Sequence, residues 1–236
     1  MSDVIEKIES MELEVRINER DSVTALLYVA SKKARTGVTL ILGHGAGSNQ
    51  LSPFMQLFAN GLAARGVDVL TFNFVYMEQG RRVPDQKAKL ESCYHAVIEA
   101  AGQNKKLKDN RLVIGGKSMG GRIASQVAAA DSSNIAGLVF LGYPLHPPGK
   151  PEQLRDAHLK DIHAPMLFVQ GSRDAFGTPD ELRAVIKRLQ LRATLHAIES
   201  GDHSLKVPKS SNVPQEQVYE STMDEIASWL RLKLLE

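Results

Sequence analysis

Apolar and polar residues alternate along Met11–Ile17, putting Leu13, Val15 and Ile17 on one side, as in a strand with one wet face. The polar turn Asn18-Glu19-Arg20-Asp21 leads into a second strand, Val23–Ala30, and the pair reads as an antiparallel hairpin. The pattern then changes. Val38–Leu42, Val67–Val75, Leu112–Ile114, Ile135–Leu141, Pro165–Gln170 and Thr194–Ile198 are short and largely apolar, as strands covered on both faces are. Stripes at helical spacing stand between and after them: Phe54, Leu57, Phe58 and Leu62; Leu90, Cys93, Val97 and Ala101, with Pro84 suited to the first turn; Ile123, Ala124 and Val127; Leu182, Val185, Ile186 and Leu189; Tyr219, Met223, Ile226, Leu230 and Leu234. Glu152–Asp161 reads as one more short helix, and Tyr76–Val83 as a loop.

Strands alternating with helices predict an α/β fold, a mostly parallel sheet of about eight strands with helices on both faces. No connection is long enough for a separate cap domain, so a single domain, Met1–Glu236, is expected.

Composition narrows the chemistry mainly by exclusion. At 43% hydrophobic and 24% charged, the 236 residues can bury a full core. The 29 basic and 27 acidic residues are interspersed, so neither nucleic acid nor membrane is expected as a partner. The single cysteine, Cys93, excludes an internal disulfide and reads as an inert core thiol. No spaced His/Cys/Asp cluster suggests a metal, and no cofactor is expected. MSDVIEKIES lacks an apolar signal core, which makes the cytoplasm the expected compartment. A homodimer is compatible with the sequence.

The chemistry centres on Arg111–Ala130, RLVIGGKSMGGRIASQVAAA. A strand, a glycine turn and a helix surround Gly116-Lys117-Ser118-Met119-Gly120, the context in which G-x-S-x-G has a mechanical meaning. The turn holds its serine in strained geometry above the sheet, and the following helix aims its first N–H groups at the same spot. Gly116-Lys117-Ser118 also ends like a phosphate-binding G-x-x-x-x-G-K-S loop. That loop requires glycine where Arg111 stands, and loop where strand is expected.

In an open α/β sheet, ligands collect at the carboxyl ends of the strands. Ser118, Asp174 and His203 each follow a strand, in the order nucleophile, acid, histidine. His203 would take the serine proton, Asp174 would orient the imidazole, and the N–H groups of Ala46 and Met119 would receive an oxyanion. Tyr76, Met77, Arg81, Arg122, Tyr143 and His146 are candidate substrate-binding residues, and Arg81, Arg122 or Lys117 would favour an anionic substrate. Blander roles compete. Asp180 suits a helix first turn, Asp202 the shaping of a loop, His44 a hydrogen bond inside its glycine loop, and His95, His158, His163 and His196 the surface.

The chain resembles α/β-hydrolases of the branch shared by the testis-expressed hydrolase-like proteins and the hydrolase-like domain of an NSL histone-acetyltransferase complex subunit. The likeness rests on Leu42-Gly43-His44-Gly45-Ala46-Gly47, Phe72-Asn73-Phe74 with Tyr76-Met77-Glu78, Gly115–Arg122, Gly142–Gly149, Gln170-Gly171-Ser172-Arg173-Asp174 and Gly201-Asp202-His203. Dienelactone hydrolases are more distant, and Ser118 stands where they resemble cysteine enzymes. The triad and both oxyanion donors in fold order point to a serine hydrolase that cleaves a small ester or thioester through an acyl-enzyme. The resemblance implies the α/β-hydrolase fold and the triad and leaves the substrate undefined. The alternative it carries is a non-catalytic binding or scaffold module on the same fold.

Overall fold

The computed structural model describes residues 8–235. The expected domain Met1–Glu236 therefore includes residues 1–7 and 236, most of the segment MSDVIEKIES among them, which lie outside the described residues. Eight strands form one sheet: β1 (Met11–Arg16), β2 (Ser22–Tyr28), β3 (Val38–Gly43), β4 (Asp68–Phe72), β5 (Arg111–Lys117), β6 (Gly137–Leu141), β7 (Met166–Gly171) and β8 (Ala193–Ile198). Their spatial order is β1-β2-β4-β3-β5-β6-β7-β8. The β1–β2 hairpin pairs Met11 with Leu27 through Arg16 with Ser22, β2 runs antiparallel to β4, and every later pairing is parallel.

Alternate residues of the central strands feed two cores. Ile41, Leu70, Ile114, Leu138, Phe140 and Phe168 face α3 (Lys87–Gln103), α4 (Met119–Ala130) and α5 (Pro179–Leu189). Leu40, Leu42, Val69, Val113, Val139, Leu141, Leu167 and Val169 face α1 (Pro53–Ala64) and α6 (Gln215–Leu234). Burial on both faces is why these strands read as unbroken apolar runs while β1, at the edge, alternates.

Three expectations change in the structure. The strand expected over Val67–Val75 ends at Phe72, because the chain turns into a single helical turn, α2 (Val75–Glu78). There the Phe74 N–H donates to His44 Nε2 at 3.1 Å instead of a strand neighbour, and Glu78 accepts from Asn73 and Thr24. Pro84 precedes its helix, which starts at Lys87, after an irregular segment in which Arg81 pairs with Asp85. The expected helix Glu152–Asp161 is only a 3-10 turn, Leu159–Asp161. Its backbone groups are engaged elsewhere: the Arg155 N–H donates to Leu145 O at 2.7 Å, and the Tyr143 hydroxyl donates to Arg155 O at 2.9 Å.

Candidate active site

Ser118 stands between β5 and α4 with φ +50° and ψ −113°, a conformation a non-glycine residue seldom adopts. The turn closes because its flanks lack side chains. A Cβ on Gly120 would lie 2.2 Å from the Gly43 carbonyl oxygen, and one on Gly116 would lie 2.3 Å from the same atom. Beneath the turn, Tyr94 of α3 ties β5 to β3, accepting from the Gly115 N–H and donating to the carbonyls of Gly115 and Ile41.

The loops after β7 and β8 bring the other two groups to the serine. His203 Nε2 lies 2.8 Å from Ser118 Oγ, and His203 Nδ1 lies 2.7 Å from Asp174 Oδ2. The Asp174 side chain is fully buried, and that of His203 is 22% exposed. A buried carboxylate needs donors, and Asp174 has them: the Phe176 N–H at 2.8 Å on Oδ1 and the Gln170 amide at 2.7 Å on Oδ2. With Nδ1–H donated to the carboxylate, the Nε2 lone pair faces the serine hydroxyl. The Phe176 ring lies against the imidazole, centroids 4.2 Å apart.

The loop after β3 runs along the other flank of the serine. A Cβ on Gly45 would lie 3.6 Å from Ser118 Cβ. His44 is buried and locks this loop: its Nε2 accepts from Phe74, leaving Nδ1 to donate to Gly45 O at 2.8 Å. Burial pushes its pKa down to about 4, so the ring is neutral. Ala46 and Met119 both line the cavity in front of Ser118, and among the described residues neither backbone N–H meets an internal acceptor. Two free donors beside a serine hydroxyl make a site for developing negative charge.

The cavity measures about 820 Å³. Phe54, Leu57, Leu90 and Tyr219 give it apolar walls, and Ser118 and His203 open into it. Two apolar positions expected on one face of α1, Phe54 and Leu57, therefore serve the cavity, while Phe58 and Leu62 serve the core.

Of the six expected substrate-binding residues, only Arg122 lines this cavity. The other five are corrected by what they touch. Tyr76 is fully buried, its ring edge-on to His44 at 5.9 Å. Met77 packs on the core below the sheet. Arg81 turns to Asp85 and Gln79. Tyr143 is fully buried between Phe140 and Phe168. His146 is buried facing Glu181 at 3.3 Å. Large rings at strand ends gain more from the core than from a wet cavity.

The lesser expectations divide. Asp202 shapes its loop by accepting from the N–H groups of Ser204 and Lys206. Asp180 is an exposed first-turn carboxylate of α5. Cys93 is buried, its thiol pushed up to about 12 by burial. His158 is half-buried instead of surface-placed, 2.8 Å from Ser125 Oγ. Sequence reasoning missed Gln170, Phe176, Arg155 and the role of Lys117. Gln170 left a signal as an amide at the end of an apolar strand; Phe176 and Arg155 left none, because loops carry them into place, and Lys117, the last residue of β5, takes its role from the His203 loop it meets.

The model of a family described as "Alpha/beta hydrolase domain" matches residues 36–231. Among solved structures, the chain is similar to a dienelactone hydrolase from Anabaena variabilis (19% identity, TM-score 0.74, covering 97% of this chain and 100% of that one). It is also similar to Est1E from Butyrivibrio proteoclasticus with ferulic acid bound (15%, 0.75, 95% and 100%). A third is a serine hydrolase without a lid from Xanthomonas campestris (18%, 0.69, 95% and 93%).

Proposed function

Because the chain belongs to the alpha/beta hydrolase domain family, we propose that it is a serine hydrolase cleaving a small ester or thioester through an acyl-enzyme. The observation that carries this reading is the unbroken hydrogen-bonded series Ser118–His203–Asp174 opening on a cavity. In the first half-reaction Ser118 Oγ attacks the substrate carbonyl carbon while its proton passes to His203 Nε2. The carbonyl electron pair moves onto oxygen, where the N–H groups of Met119 and Ala46 receive it; one such donor contributes roughly 3–4 kcal/mol to the barrier reduction. Collapse of this intermediate expels the alcohol or thiol, which takes the proton from His203. Water repeats the sequence on the acyl-serine, releasing the acid and restoring the serine. Asp174 holds the tautomer and stabilises the imidazolium.

Fluorophosphonate labelling followed by mass spectrometry tests the reading. The wild type should gain one adduct, on Ser118, and Ser118→Ala should gain none. A folded wild type that stays unlabelled around neutral pH supports the scaffold alternative instead. Resemblance to the testis-expressed and NSL-subunit branch is what gives that alternative its weight.

A further inference from the structure

We propose that the cavity contains an anion subsite, formed by Arg122 and Arg155, that selects esters carrying a carboxylate a short chain away from the scissile bond. The proposal rests on the serine-hydrolase reading for its substrate and on side-chain geometry for its site.

Charge around the cavity is lopsided although the chain as a whole is nearly balanced. Lys87, Lys117, Arg122, Arg155 and Lys206 line it, while among the described residues Asp85 is the one acidic lining residue and is held by Arg81. Three of these cations are engaged or exposed: Lys117 meets the His203 carbonyl, Lys87 meets Glu91, and Lys206 is exposed at the lip. Arg122 and Arg155 are different. Both are half-buried, and among the described residues neither guanidinium meets a carboxylate or any other acceptor. Other partly buried arginines show what such a group ordinarily finds. Arg35 meets Asp68, and Arg65 meets Glu220 and Asp224. Asp156, next in the chain to Arg155, is taken by Arg188.

The two guanidiniums also act on each other. The Arg155 pKa is pulled below its usual value, first by burial and then by the Arg122 charge. Two cations held near one another at a cavity wall, with no acid between them, are uncompensated in the empty protein. A bound anion relieves the repulsion and satisfies both forks, and a planar carboxylate matches guanidinium geometry.

Both arginines are held at fixed backbone positions. Arg122 lies one turn beyond Ser118 on α4, its N–H donating to Ser118 O at 3.0 Å. One turn is about 5.4 Å of rise, and Ser118, Arg122 and Arg155 line the same cavity, so the carboxylate is placed a short chain from the reacting carbonyl. Arg155 is anchored by one main-chain bond, its N–H to Leu145 O, and by the Tyr143 hydroxyl on its carbonyl. Buried Tyr143 thus shapes the cavity through the residue it holds.

Matched pairs of esters test the subsite. On the acyl side, 4-nitrophenyl hydrogen glutarate is compared with its methyl ester. On the alcohol side, the butyryl ester of glycolate is compared with its methyl ester. In at least one pair the anionic member should show kcat/KM ten-fold or more higher, chiefly through KM. Arg155→Met and Arg122→Met should each bring that ratio towards one, with Arg155→Lys retaining part of it. A wild-type ratio at or below one in both pairs overturns the proposal, as does a ratio that neither arginine substitution moves. Calorimetric titration of the Ser118→Ala protein with glutarate separates this proposal from the catalytic one. Binding should weaken ten-fold or more in the Ser118→Ala/Arg155→Met protein and fall with added salt. Absence of salt-sensitive binding, with neutral esters still cleaved, removes the subsite and leaves the hydrolase. Arginine-dependent binding, with no labelling of Ser118, retains the anion site and removes the hydrolase.

Discussion

The Lys117 ammonium donates to the main-chain carbonyl of His203 at 2.5 Å, so the residue preceding Ser118 holds the residue whose imidazole meets the Ser118 hydroxyl. Burial pushes the Lys117 pKa down to about 8, against the opposing pull of Asp174 and Asp202. The ammonium is thus engaged by the His203 carbonyl, whereas the lysine of a nucleotide-binding loop presents its ammonium to phosphate. Replacing it with Met should loosen the His203 loop and lower kcat about ten-fold with little change in KM, and Arg at this position should restore part of the loss. Equal kcat values in the wild type and Lys117→Met would remove the positioning role.

The same lysine shapes stability at alkaline pH. Its folded pKa lies below the unfolded value, so between about 8 and 10.5 the unfolded chain binds more protons and stability rises with pH. A shift of this size corresponds to on the order of 3 kcal/mol across that window. Urea unfolding of the wild type minus Lys117→Met, from pH 7.5 to 10, should show the difference moving in favour of the wild type. A flat difference would mean that Lys117 is better solvated than its burial implies.

His44 produces the corresponding effect in acid. It is neutral when folded, with a pKa of about 4 against 6.5 unfolded. Its contribution is complete above pH 6.5 and is lost as pH falls towards 4, by roughly 3 kcal/mol. His44→Asn should flatten the pH dependence of the melting temperature in that window while lowering stability at pH 7. An unchanged slope would assign acid sensitivity to other groups.

Asp174 and Gln170 separate catalysis from stability. Asp174→Asn should keep the fold yet reduce kcat by ~10³–10⁴-fold, because the imidazole then adopts the wrong tautomer. Gln170→Leu leaves the Tyr143 N–H and the Gly177 carbonyl without partners and takes one donor from Asp174. It should cost about 2–3 kcal/mol of stability as well as activity. Normal denaturant midpoints for Gln170→Leu would contradict this.

Away from the cavity, Asp68 is fully buried and accepts from Arg35, Asn110 and the Ala30 N–H. Asp68→Ala should destabilise by about 3–5 kcal/mol, since it takes the carboxylate from a partly buried guanidinium and leaves the buried Ala30 N–H without a partner. Kinetic constants on a neutral ester, measured well below the new melting temperature, should stay near those of the wild type.

The sequence by itself determined the sheet, the order of its elements and the three groups that meet at Ser118. Each of those depends on local pattern. Two-sided burial makes β3 to β7 read as apolar runs, and the glycine turn needs Gly116 and Gly120 wherever it occurs. Tertiary structure alone decided which loop residues face the cavity. Tyr76, Tyr143 and His146 follow strands just as Ser118 and Asp174 do, yet they turn into the core. Arg155, in a segment with the pattern of a short helix, is carried to the cavity wall by hydrogen bonds to residues ten and twelve positions earlier. Loop direction is set by bonds between residues apart in the sequence and adjacent in the fold, and no periodicity along the chain records them.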